Sequence, residues 1–396
     1  MPTHDESARR AVRMGTALVA AGYAVAAVAI GLRTNDDTVL FDAWGSALRG
    51  CGFDHGCLAR ETRFVVPTAF YSGWITVVAL LQVAAGESWR TTLVGLNWLA
   101  MVAVAAGALE LVRRLGASAL AVGVTALLFF FAGELWLWVP YALSDSTFVA
   151  LSFGLFGAAA RTLGAPGRGG MRALPLLTFA ALVALYRPGG LPYALVVAAS
   201  LALAPLFGAD AERRRRRARA VVAIQLVAAG LLVTGHAALM RDPSLWPVRA
   251  LAPWIRSLSA DARAGQVMFA RPELDHAPPR SLGDHVWLTV AKVHRFAAPT
   301  APSLRLERKL LAVVAWPVLW LLAAVGAISA WRGRFGDRGW WTAWLAAQVF
   351  CCVALFHGLQ VVDRDWRYRA PCVPPLLVLA GLGAARLEVR LARRDT

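Results

Sequence analysis

Charge is scarce in this chain. Only 16% of its 396 residues are Asp, Glu, Lys or Arg, against about 25% in a soluble domain. Many stretches of about 20 residues carry no charge at all, which excludes an ordinary soluble fold and reads as membrane-spanning helix. Alternating ten-residue segments are also missing, and that excludes an outer-membrane barrel. There is no phosphate-binding Walker loop, no dinucleotide fingerprint and no HExxH metal motif. There is no GxSxG nucleophile elbow either. Cysteine is rare, with five residues, and the Cys51–Cys57 spacing, with a single histidine, His55, between the two, lacks the paired ligand pattern of a structural zinc site.

What remains is 58% hydrophobic sequence with a net charge of +17. Arginine far outnumbers lysine and falls in short clusters between apolar runs. That pattern is a topology signal rather than a nucleic-acid surface, so no nucleic-acid partner is expected. Arg9, Arg10 and Arg13 precede the first apolar run, 14–32, which reads as a retained signal anchor. Further clusters are Arg113-Arg114, Arg161 with Arg168 and Arg172, Arg213–Arg217, Arg332 to Arg338, and Arg386 to Arg394. All belong on the cytoplasmic side.

Seven apolar segments precede the Arg213 cluster: 14–32, 65–84, 92–112, 118–139, 143–160, 172–186 and 190–208. Seven crossings would leave that cluster outside, so one segment does not cross. Segment 65–84, interrupted by Pro67, Tyr71, Ser72 and Gly73, is the candidate for a juxtamembrane helix in the outer leaflet. The expectation is a single all-α polytopic unit over 1–396, with about ten crossings and both termini cytoplasmic. Two long outer segments follow, 33–91 and 241–307. The second contains "SLGDHVWLTVAKVHRFAAP", an amphipathic surface helix.

Asp36 and Asp37 stand at the water edge just past the first span. Either one caps the helix that follows, or one acts as a general base on a lipid-borne substrate. Arg187, in "ALYRPGGLPYAL", either snorkels to the interface or binds a phosphate with its planar fork. Arg367 and Arg369, in "WRYRAPCVPP", are open to the same two readings. Asp145 either caps the span after it or faces the site, and His357 is an interfacial side chain or a base. Cys51 and Cys57 share an outer loop and can bridge. Outer carboxylates can hold Mg²⁺ or Mn²⁺, but no clustered ligand motif requires a metal.

The order of these features resembles the GT-C superfamily of membrane glycosyltransferases. The series begins with the outer acidic pair, Phe41 four residues after Asp37, and "SALRG". It continues with a proline-led surface helix, "GESWRTTLVGLNWL", "LVRRLGA" and "YALSDSTF", and ends with "LYRPGGL" and "RYRAPCVPPLLVLAG". It is most similar to the bacterial branch related to protein O-mannosyltransferases and lipid A aminoarabinose transferases, over Met14 to Leu387. The resemblance implies a sugar transferase of the plasma membrane with its active site on the outer face. It implies a polyprenyl-phosphate-linked sugar as donor, inversion at the anomeric centre, and a glycan, lipid or protein acceptor in the cell envelope. It places the base at Asp37 or Asp36, a second acidic position at Asp145, and carrier-phosphate arginines at Arg187 and Arg369. A transporter or lipid-linked glycan flippase is the alternative, and would be marked by ionisable groups deep inside spans. A non-catalytic scaffold is a third reading.

Overall fold

The structure is a computed structural model describing residues 4–62, 69–164, 169–207, 210–240, 281–299, 306–359 and 366–393. The side chains of Asp36 and Arg367, and residues 241–280 of the second outer segment, lie outside the described residues. Among the described residues the fold is helical, apart from one isolated bridge between Arg33 and Tyr141. The helices are α1 (His4–Ile30), α2 (Asp36–Gly50), α3 (His55–Thr62), α4 (Ser72–Ala85), α5 (Trp89–Arg114) and α6 (Ala119–Phe131). They continue with α7 (Gly133–Trp136), α8 (Asp145–Leu163), α9 (Gly169–Tyr186), α10 (Gly190–Phe207) and α11 (Ala211–Met240). The last are α12 (Leu282–Ala297), α13 (Leu306–Trp331), α14 (Gly336–Leu359) and, after a 3₁₀ turn at Trp366–Cys372, α15 (Val373–Ala392).

Among the described residues eight helical runs are long and apolar enough to cross a membrane, and two shorter apolar helices, Ala119–Phe131 and Leu174–Tyr186, accompany them. Large apolar side chains such as Val25, Val28, Ile224 and Leu231 are exposed along these helices. A soluble surface does not carry such belts, and lipid covers them at no cost. The chain has the build of an all-α polytopic membrane protein.

One of the eight runs is Ser72–Arg114, 43 residues, about 65 Å if straight and twice what a bilayer core needs. It turns at Gly86, whose φ of 54° suits glycine. α4 is therefore separate from α5. It buries Trp74, Ile75, Val78, Ala79 and Gln82 and leaves Leu80 and Val83 exposed. Segment 118–139, read as one span, is broken at Ala132, where the backbone leaves the helical region. The turns that follow carry Glu134 and end at Asp145.

Close helix contact depends on missing side chains. A Cβ on Gly326 would come within 1.9 Å of the Leu379 carbonyl oxygen, and one on Gly383 within 2.0 Å of the Leu322 carbonyl oxygen. The two glycines thus let α13 and α15 touch backbone to backbone, as small residues do between membrane helices. In mid-bundle, Gln225 of α11 and Gln348 of α14 exchange amide hydrogen bonds of 2.7 and 3.2 Å.

The bundle has two chemically different ends. At one, Arg113 pairs with Asp5 and Glu110, and Ser118 donates to Glu388. There too Arg214 donates to Asp337 at 2.7 Å and Arg338 to the Gly164 carbonyl at 3.4 Å. The basic clusters at Arg113-Arg114, Arg213–Arg217 and Arg332–Arg338 sit at this end. α1, α5, α8, α14 and α15 all connect it with the opposite end, where the acidic and arginine candidates gather.

Candidate active site

The site is assembled from helix termini. After α1, the Arg33 amide donates to the Pro140 carbonyl at 2.9 Å and the Ala142 amide returns a bond to the Arg33 carbonyl at 3.1 Å. Asn97 of α5, fully buried, donates to the carbonyls of Tyr141 and Leu143 at 2.9 and 3.2 Å. The chain leaving α1 is thus tied to the turn that delivers Asp145.

α2 begins beside that tie. Its N-cap is Asn35, not either aspartate. Asn35 Oδ1 accepts from the Thr38 amide at 3.0 Å, and Thr38 Oγ1 accepts from the Asn35 amide at 3.2 Å. Thr38 Oγ1 also reaches the Ala142 carbonyl at 3.4 Å. The capping role expected of Asp36 or Asp37 is therefore already filled. Both fall in the first turn, where the helix macrodipole favours a carboxylate. Asp37 is half-buried.

A row of aromatic rings leads away from Asp37. Phe41, one turn along, lies 5.1 Å from Tyr71 and 5.9 Å from Trp74. Trp74 is 5.6 Å from Tyr186, and Tyr186 stacks on Phe148 at 6.5 Å. Tyr186 also donates to Thr147 at 2.8 Å. Arg187 follows at the end of this row, with its guanidinium carbon 5.8 Å from the Phe148 ring. The helix read as juxtamembrane from sequence contributes Tyr71 and Trp74 to the row.

Two buried acid–arginine pairs close the site. Arg187 donates to Asp145, and both are more than nine-tenths buried. The cap of α8 is Ser144, so Asp145 is engaged in this pair rather than in capping. Arg369 is 1% exposed. Its Nε donates to Glu134 at 2.7 Å and a terminal nitrogen donates to the same oxygen. Its other terminal nitrogen donates to the carbonyls of Phe296, at 3.0 Å, and Ala298. The guanidinium stacks 3.9 Å over Trp316. Expected from sequence as a phosphate ligand, Arg369 spends these donors on the protein itself. Burial holds the Glu134 carboxyl above the usual carboxylate range, and the Arg369 charge and hydrogen bonds offset only part of that rise.

Tyr368 joins the pairs. Its ring is 5.7 Å from the Arg187 guanidinium carbon and 5.1 Å from the His357 ring. His357 is buried and also faces Phe296 at 5.5 Å. Residues that the sequence reading passed over are Glu134, Lys292, Trp316 and Tyr368. Glu134 stood in a turn next to Asp145, and its position at that end was the available signal.

Two further features frame the site. Asp42 accepts from Gln82 at 2.6 Å and from Arg90, clamping α2 to α4 and α5. Cys51, at the end of α2, and Cys57, in the first turn of α3, form a disulfide with Cα atoms 5.7 Å apart. Among the described residues no three His, Cys, Asp or Glu side chains gather as a metal site. No family model, curated protein or solved structure matches the chain.

Proposed function

We propose that the protein is a plasma-membrane glycosyltransferase that moves a sugar from a polyprenyl-phosphate carrier to a cell-envelope acceptor on the outer face. The observation that carries the reading is the pairing of a half-buried, first-turn carboxylate, Asp37, with a buried cationic centre, Arg187, across one aromatic row. Transfer from a sugar phosphate needs both groups. A base must take the acceptor proton, and preorganised positive charge must stabilise the departing phosphate. Aromatic faces between them suit the apolar faces of a sugar ring.

The reaction is a single displacement. The acceptor hydroxyl gives its proton to the Asp37 carboxylate while its oxygen attacks the anomeric carbon from the face opposite the phosphate. The bond from that carbon to the phosphate oxygen breaks, its electron pair stays with the polyprenyl phosphate, and the anomeric configuration inverts. Asp145 orients Arg187 for this role.

Sidedness supports the reading in two independent ways. The basic clusters occupy the end away from the site, as the positive-inside rule expects of a cytoplasmic face. The disulfide lies toward the site end, and disulfides persist in oxidising compartments. We read ten crossings, α1, α5, α6, α8–α11 and α13–α15, with both termini cytoplasmic.

The test is turnover in proteoliposomes supplied with polyprenyl-phosphate-linked hexoses and pentoses, read as release of polyprenyl phosphate. Asp37→Asn is expected to lower turnover by about 100- to 10,000-fold with no change in folding. Normal turnover in that variant removes Asp37 from the mechanism. Passage of the intact lipid-linked sugar to the other leaflet, without bond cleavage, identifies a flippase instead.

A further inference from the structure

Four consecutive carbonyls outside the helices are each bonded to another part of the chain. They belong to Pro140, Tyr141, Ala142 and Leu143, in the turns that deliver Asp145. The Pro140 carbonyl accepts from the Arg33 amide at 2.9 Å. Those of Tyr141 and Leu143 accept from Asn97 Nδ2 at 2.9 and 3.2 Å. The carbonyl between them, that of Ala142, is reached by Thr38 Oγ1 at 3.4 Å. Non-helical backbone inside a membrane bundle needs such donors, because lipid supplies none.

An asparagine at this depth is costly. Asn97 is fully buried in α5. Its side-chain oxygen is buried too and has no hydrogen-bond partner among the described residues, a loss that an apolar side chain would not incur. The amide cannot be turned round, since its oxygen would then face two carbonyls. Asn97 therefore acts through its N–H groups, and these go to one short segment.

That segment is a short route between two acids of the site. Asp37 precedes Thr38, Thr38 reaches the Ala142 carbonyl, and Asp145 follows three residues later. Asn97 holds the carbonyl on either side of that contact. Asp145 in turn accepts from Arg187.

We infer that Asn97 is a positioning residue that sets where the Asp37 carboxylate stands relative to the Asp145–Arg187 pair. Its part in sugar transfer rests on the glycosyltransferase reading, whereas the geometric role does not. A misplacement of about 1 Å between groups that act on one bond can cost on the order of a hundredfold in rate. Donor binding by the rest of the site is left in place.

The experiment compares wild type, Asn97→Leu and Asn97→Asp, each full-length in nanodiscs. Turnover of polyprenyl-phosphate-linked hexoses and pentoses is normalised to folded protein. Hydrogen exchange is followed in peptides covering 33–40 and 139–146. Asn97→Leu keeps a side chain of similar size and removes the donors. Its kcat is expected to fall about tenfold to a hundredfold with KM within about twofold of wild type, and both peptides should exchange faster. Asn97→Asp keeps the shape and, when protonated, one donor. Its kcat is expected to fall about threefold to tenfold, and it decides the matter if Asn97→Leu does not fold. An asparagine that only satisfied backbone would lower stability and leave kcat per folded molecule unchanged. If wild type transfers sugar and the folded variants keep kcat within about twofold, the inference fails and the transferase reading survives. If wild type transfers no sugar, that reading fails and exchange alone decides. Faster exchange of 33–40 in Asn97→Leu then upholds the positioning role, and unchanged exchange there overturns it.

Discussion

Replacing Arg369 with methionine is the most searching test of how the site is held. The substitution keeps an unbranched apolar stem over Trp316 and removes every donor. Glu134, 1% exposed, loses its counter-charge, and the carbonyls of Phe296 and Ala298 lose theirs. Breaking a buried ion pair from one side costs about 3–5 kcal/mol. Protonation of Glu134 limits the loss, because a buried carboxyl sheds its charge rather than stay ionised alone. The release of α12 limits it too, since freed carbonyls can find water. The expectation is about 3 kcal/mol, read as a lower apparent Tm in one fixed detergent by a thiol-reactive unfolding dye. Rank order is the quantity to compare, because unfolding of so many helices is not two-state. Arg369→Met combined with Glu134→Leu replaces the pair by apolar groups, which is often neutral or stabilising. The double variant should recover most of the stability. A single variant within about 1 kcal/mol of wild type, or a double variant no better than the single, refutes the account of Arg369 as the pin of α12.

Two further outcomes follow from the same geometry. Asn35→Ala removes the cap of α2 and is expected to cost about 1 kcal/mol while lowering transfer turnover with little change in KM. Asn35→Ser, which can still cap, should restore turnover, and wild-type turnover in Asn35→Ala would separate the cap from the chemistry. In intact cells expressing a Cys351→Ala background, an impermeant reductant followed by an impermeant maleimide should label both Cys51 and Cys57. A cysteine placed at Arg334 should label only after permeabilisation. The reverse pattern would overturn the sidedness on which the proposed reaction depends.

Much of the helix layout was legible because it rests on local signals. Apolar runs, arginine clusters and the Gly86 break are readable over a few residues. So is the start of α12, where Ser281 and Asp284 exchange side-chain-to-amide bonds of 2.9 and 3.1 Å. Asp145 and Arg187 could be singled out because each stands at the end of an apolar run, and Cys51 and Cys57 because they share one short loop. The pair between Glu134 and Arg369 spans 235 residues and has no local signature. Lys292 was hidden for a different reason. A lysine in an amphipathic surface helix is expected to face water, and only the docking of α12 turns it inward. Asn35 was not singled out as the N-cap because aspartate and asparagine cap about equally well, and the choice depended on where the chain leaves its tie to Ala142.

Helix termini explain several of the charges at the site end without reference to function. Asp36 and Asp37 lie in the first turn of α2 and Asp145 in the first turn of α8, where the macrodipole favours anions. Arg187 follows the last residue of α9, and Arg369 caps the end of α12, where it favours cations. The pairs Asp145–Arg187 and Glu134–Arg369 add mutual neutralisation. A bundle needing only to stay folded could hold all of these. The buried Nδ1 of His357, without a hydrogen-bond partner among the described residues, has no such explanation. That atom is where a purely structural account is weakest. A change at His357, rather than any change to the arginine pairs, therefore most sharply separates a binding site from a well-packed helix end.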